Sequence, residues 1–111
     1  MKMIIAIVRE SDANKVMREL NRAGYSVTKT SSNGGFLRAK NTTLFIGTDK
    51  SKIQHVINIL KSNCEKRKQT VIPLSAVNEQ ENSTSQEDIS VEIDVGGATI
   101  FVLDVERFEK I

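Results

Sequence analysis

The 111-residue chain has no tryptophan and only one each of tyrosine, proline, cysteine and histidine. With four phenylalanines and that one tyrosine as its whole aromatic complement, it lacks the stacking platform used to hold single-stranded nucleic acid. Cys64 has no second cysteine for a disulfide, and His55 has no clustered ligands for zinc, so a reducing compartment and no metal are expected. Charge of one sign is scarce too. Sixteen basic residues against fourteen acidic ones leave a formal net charge of +2, which by itself is too little to attract nucleic acid. The amino-terminal run Met1 to Val8 places Lys2 before apolar residues, but it is too short for a signal peptide and has no cleavage site before Arg9-Glu10. A cytoplasmic protein without a membrane partner is expected.

Catalytic chemistry is equally sparse. No serine, cysteine or carboxylate is forced next to His55 by its spacing, and Cys64 falls on an apolar stripe where burial would raise its pKa. Asp88, Glu92 and Asp94 alternate with apolar residues and so share one solvent-facing side of a strand. These residues point to a protein that is not an enzyme and holds no cofactor.

What the chain does have is clear periodicity. At 39% apolar and 27% charged, residues 1–111 suit a single domain with a modest core. Met3 to Val8 is a continuous apolar run that reads as a central strand. Ser11 or Asp12 is then expected to cap a helix whose buried side carries Ala13, Val16, Met17, Leu20 and Ala23, with Gly24 in the left-handed position that stops it. Strands are expected over Tyr25 to Thr30 and Thr43 to Gly47. Thr48 or Asp49 should cap a second helix with Ile53, Val56, Ile57, Leu60 and Cys64 inward, and the basic run Lys61 to Lys68 reads mostly as its carboxyl-terminal end. Thr70 to Leu74 reads as a short strand. Residues 75–88 contain almost nothing apolar, so a long mobile loop is expected there, of a length more often functional than accidental. Ile89 to Val95 alternates strictly, and Gly96-Gly97 is expected to turn it into a strand over Ala98 to Val105. The order is α+β: a ferredoxin-like βαββαβ pattern with an extra β-hairpin, an antiparallel sheet carrying two helices on one face. Its other face needs cover, and oligomerisation is the simplest source.

Between the second and third strands lies Asn33-Gly34-Gly35-Phe36-Leu37. Two readings of it stand. It is either a hairpin turn with a buried phenylalanine or an anion cradle, in which glycine amides face a phosphate while Phe36 and Leu37 cover a flat base. Thr28 and Asn41 on the flanking strands would add hydrogen-bonding groups.

The segments Met1 to Val8, Gly34 to Ala39 with Asn41 to Thr43, and Val95 to Leu103 closely resemble the PstA/DarA family of PII-like signal transduction proteins. The resemblance covers nearly the whole chain except the loop from Ser75 to Asp88. It implies a homotrimer that binds cyclic di-AMP in the clefts between subunits and signals through residues 75–88 to a protein partner. The implied ligand contacts fall on Thr28, Gly35, Phe36, Leu37, Asn41, Gly47 and Phe101. Where the family carries an arginine near the start of the second strand and a glutamine before the terminal aromatic, this chain has Ser26 and Lys110. Lys29, Lys40 and Lys110 are the cations then at hand for a phosphate. A second reading keeps the same PII-like trimer as a protein-interaction module or as a sensor of another anion.

Overall fold

The β-branched run near the amino terminus forms β1 (Lys2–Arg9), and the four-stranded sheet is built on both of its edges. The computed structural model describes residues 1–32, 40–71 and 91–111. After β1 come α1 (Glu10–Arg22), β2 (Val27–Ser32), β3 (Asn41–Thr48), a single 3-10 turn (Lys50–Lys52), α2 (Ile53–Cys64), β4 (Arg67–Val71), β5 (Val91–Val95) and β6 (Ala98–Asp104). Four strands form an antiparallel sheet in the order β2-β3-β1-β6, while β4 and β5 pair only with each other. The chain divides into two compact units, Met1–Glu65 with Gly96–Ile111, and Lys66–Val95.

In the first unit, the period of two along each strand sends alternate side chains to opposite faces. One face of β1 carries Ile4, Ala6 and Val8 and one face of β3 carries Leu44 and Ile46, all buried. Both helices lie on that face. They fill it with Ala13, Val16 and Leu20 from α1 and Val56, Leu60 and Cys64 from α2, and Met17, Ile53, Ile59 and Ile100 pack around the rim. This is the ferredoxin-like arrangement: β1 and β2 run parallel on either side of β3, and β6 returns on the far side of β1. Two crossovers that place their helices on one face are what such a strand order requires.

Helix α1 ends as expected. Gly24 has φ +94°, and its N–H reaches the Asn21 carbonyl while that of Tyr25 reaches the Leu20 carbonyl, each at 3.0 Å. The paired bonds satisfy carbonyls that the helix end would leave open. The amino-terminal expectations fail. Arg9 occupies the cap position of α1 without a side-chain cap bond, and Asp12 is buried inside the first turn. The helix begins earlier because the backbone N–H of Glu10 donates to the Lys40 carbonyl at 3.0 Å, which ties the chain to the start of β3. Neither Thr48 nor Asp49 caps α2 directly. Asp49 precedes the 3-10 turn and makes no side-chain cap bond there either. Ala23 is exposed rather than part of the buried stripe, and Ile57 is half-buried.

Strand boundaries move as well. Residues β2 shares with the sheet begin at Val27 rather than Tyr25, and β3 extends over the whole of Asn41–Thr48. Helix α2 stops at Cys64, so Arg67 and Lys68 belong to β4 instead of a helical end. The expected strand over Thr70 to Leu74 is described only through Val71, and that over Ile89 to Val95 only from Val91, the remainder of each lying outside the described residues. In the small sheet Lys68 stands opposite Asp94 and Thr70 opposite Glu92, so the two exposed carboxylates face a cation and a hydroxyl across the ladder.

The largest correction concerns Gly96-Gly97. They do not close a hairpin, because β5 pairs with β4 and β6 with β1. Both glycines have positive φ, 82° and 94°, and the Gly97 N–H donates to the Cys64 carbonyl. Ladder bonding along the free edge of β1 captures β6 more fully than a two-strand hairpin with β5 could.

Leu44 is fully buried between the sheet and the helices. Leu44→Ala is expected to lower the unfolding free energy by about 2 to 5 kcal/mol through lost burial and the cavity left behind, as measured by chemical denaturation.

Candidate functional site

The face of the four-stranded sheet opposite the helices carries the other half of each alternation. From β1 it receives Met3, Ile5, Ile7 and Arg9, and from β3 Asn41, Thr43, Phe45 and Gly47. Thr28 and Thr30 come from β2, and Thr99, Phe101 and Leu103 from β6. Register aligns them in rows. Thr28 pairs with Phe45, Phe45 with Ile5, and Ile5 with Phe101. A neighbouring row runs Thr30, Thr43, Ile7 and Thr99, and a third begins with Gly47, Met3 and Leu103. Asn41 stands opposite Arg9 at the far end. Same-face neighbours along a strand are two residues apart, so Asn41 and Phe45 are separated by roughly 13 Å.

Among the described residues no helix covers this largely apolar face. Phe101 is 52% exposed and Leu103 45%, on an edge strand with no charged residue between Ala98 and Leu103 to guard it. Hydroxyls from Thr28, Thr30, Thr43 and Thr99 interrupt the apolar surface. Such a mixture of aromatic cover and polar edges suits a flat heteroaromatic ligand or another protein surface.

The residues expected to bind ligand fall into three groups. Thr28, Asn41, Gly47 and Phe101 are brought onto this one face from three strands. Ser26 is exposed immediately before β2, and Lys110 is exposed in the segment after β6. Gly35, Phe36 and Leu37 lie outside the described residues, as do residues 75–88. Among the cations, Lys29 does not face this side. Its position in β2 alternates away from Thr28, and its ammonium donates to Asn14 Oδ1 of α1 at 3.4 Å.

Arg9 was not among the expected contacts, yet it occupies this face. Its Nη1 donates to Asn41 Oδ1 at 3.4 Å and its Nε to the Gly96 carbonyl at 3.3 Å. Phe45, between Thr28 and Ile5, was also missed. Strand parity could have found both, since each lies an even number of residues from Ile5 or from Asn41 on its own strand.

Other polar groups lie off this face. The Tyr25 hydroxyl and His55 Nδ1 share a 2.6 Å hydrogen bond, so the histidine is an exposed, partnered residue. Asp104, whose parity is that of the helix-covered side, is held below the usual carboxylate range by a hydrogen bond from Lys2 and by the charge of that ammonium. Among the described residues no group of His, Cys, Asp and Glu could hold a metal, and no helix is long and apolar enough to cross a membrane.

The comparison that decides the family is the match of a model described as cyclic-di-AMP receptor to residues 1–111, the full chain. The chain belongs to the cyclic-di-AMP receptor family. The family is one of receptors rather than enzymes, in agreement with the sparse catalytic chemistry. A crystal structure of a protein from Pediococcus pentosaceus ATCC 25745, titled as functionally unknown, is similar at 32% identity and a TM-score of 0.79, over 99% of this chain and 96% of that one. That likeness agrees with the α+β architecture described above.

Gly47 offers a test of what this face needs. Its φ is not positive, and a β-carbon built there would meet only the Met1 sulfur, at 3.8 Å. The fold therefore does not require glycine at this position. Gly47→Ala is expected to keep its stability or gain up to about 1 kcal/mol from the smaller entropy of the unfolded chain, read from the denaturation midpoint.

Proposed function

We propose that the protein is a PII-like signal transduction receptor, a homotrimer that binds cyclic di-AMP in clefts between subunits and passes occupancy through residues 75–88 to a protein partner. Family membership supports the ligand. The observation that carries the placement is the registered row Thr28, Phe45, Ile5 and Phe101, ending in a half-exposed aromatic on a face without helices. An adenine stacked there would gain apolar cover, with hydroxyl and amide groups at Thr28 and Asn41 for its edge.

In this reading Thr28, Gly35, Phe36, Leu37, Asn41, Gly47 and Phe101 contact the ligand, with Ser26 and Lys110 at its margins. The amides of Gly34 and Gly35 take a phosphate, and Phe36 and Leu37 close over a base. A second subunit is the natural cover for the exposed Phe101 and Leu103. Residues 75–88 are the segment through which occupancy would be relayed, a role suggested by their polar composition. No cofactor, metal or catalytic step is involved, and the cytoplasm is the proposed compartment.

Calorimetric titration with cyclic di-AMP, against cyclic di-GMP and ATP as controls, is expected to give saturable binding for cyclic di-AMP alone. Thr28→Ala and Asn41→Ala should each weaken it by about 0.5 to 3 kcal/mol with unchanged circular dichroism. Gly47→Ala should weaken it while leaving the fold intact. Wild-type affinity in all three variants would move the site elsewhere. Light scattering is expected to report three copies, and a monomer at micromolar concentration would remove the proposed cleft.

A further inference from the structure

A dinucleotide with two phosphates brings two negative charges, yet the strand residues so far given to the ligand, Thr28, Asn41, Gly47 and Phe101, are all uncharged. Among the described strand residues on the uncovered face, the one positive charge is Arg9. It is half-buried at the end of β1 and stands directly opposite Asn41 in the ladder. Among the described residues its two side-chain hydrogen bonds go to neutral oxygens, and at 3.3 and 3.4 Å both are long. A guanidinium has five N–H donors, so most of its capacity is not used by these two. Among the described residues Lys2 pairs with Asp104, Arg22 with Glu19 and Arg107 with Glu109, and none of these pairs involves Arg9.

We infer that Arg9 is a ligand-binding residue of this face, whose guanidinium takes a phosphate oxygen of the bound dinucleotide beside Asn41. The inference rests on the function proposed above. A partly desolvated cation whose partners among the described residues are neutral gains most from an anion, because a charge-assisted bond is roughly twice as strong as a neutral one. The planar fork suits a phosphate with two oxygens exposed, in a way that a lysine does not. Asn41 then has a defined part. Its carbonyl oxygen accepts from Arg9, which leaves the amide hydrogens directed to a second acceptor on the ligand. Neither contact of Arg9 belongs to the β-ladder, so the guanidinium is able to turn toward a phosphate without disturbing strand pairing.

The test is calorimetric titration of wild type, Arg9→Gln and Arg9→Lys with cyclic di-AMP, at low and at high salt, with thermal melts as the folding control. Arg9→Gln is expected to bind about 10- to 100-fold more weakly, and to lose part of the salt dependence that wild type shows. Arg9→Lys, which keeps charge but not the fork, should fall between the two. Unchanged affinity in a folded Arg9→Gln would overturn the inference and leave Arg9 as a tie between strand ends. Weaker binding with the full wild-type salt dependence would also overturn it, since the arginine would then act only by orienting Asn41. If Arg9→Gln does not fold, an Arg9→Lys variant with wild-type affinity counts against the inference, and one with several-fold weaker binding supports it. A wild-type protein that binds no cyclic di-AMP would bring down the proposed function itself, and is distinguished by silence before any substitution is made.

Discussion

The structure depends on β1 being hydrogen-bonded along both edges while only one of its faces is covered by helices. A strand in that position must satisfy its whole backbone within the sheet, and its alternation must divide side chains between a packed interior and an unfilled exterior. Ile4, Ala6 and Val8 go one way and Met3, Ile5, Ile7 and Arg9 the other. The core and the candidate site are therefore two sides of one strand. A slip of a single residue in register would exchange them.

This arrangement explains why the candidate residues come from distant parts of the sequence. Thr28 and Phe101 are 73 positions apart by number, yet they lie in one row because β3 and β1 bridge them in register. It also explains the placement of Arg9. The residue ends β1 and starts the turn of chain into α1, where its backbone serves the helix cap and its side chain reaches Asn41 and the Gly96 carbonyl. One arginine thus joins the candidate face to the junction between β5 and β6.

The small β4–β5 sheet shows how an insertion is accommodated in a ferredoxin-like chain. In the simplest βαββαβ order the last strand would follow α2 directly. Here the chain leaves α2 at Cys64, forms β4 and β5, and returns to the Cys64 carbonyl through the Gly97 N–H before entering β6. Exit and return thus meet at one residue of the first unit. Two successive glycines with positive φ allow that return, a conformation that costs other residues roughly 1 to 2 kcal/mol each.

Local chemistry in the sequence was sufficient for much of this. The continuous apolar run of Met3 to Val8, the period near four in Val16, Leu20, Val56 and Leu60, and Gly24 past the end of α1 determined the elements and the α+β class, because burial and left-handed backbone constrain nearby residues directly. Thr28 and Asn41 were legible as strand-borne polar groups, and resemblance supplied the ligand. Tertiary structure alone decided which edge β6 would join, and hence that Gly96-Gly97 is a passage between sheets instead of a hairpin. It also decided that Lys29 faces α1 and that Arg9 meets Asn41. Pairing partners are chosen by competition among whole strands, and the face of a side chain follows from the register that wins, so neither is written in the residues beside it.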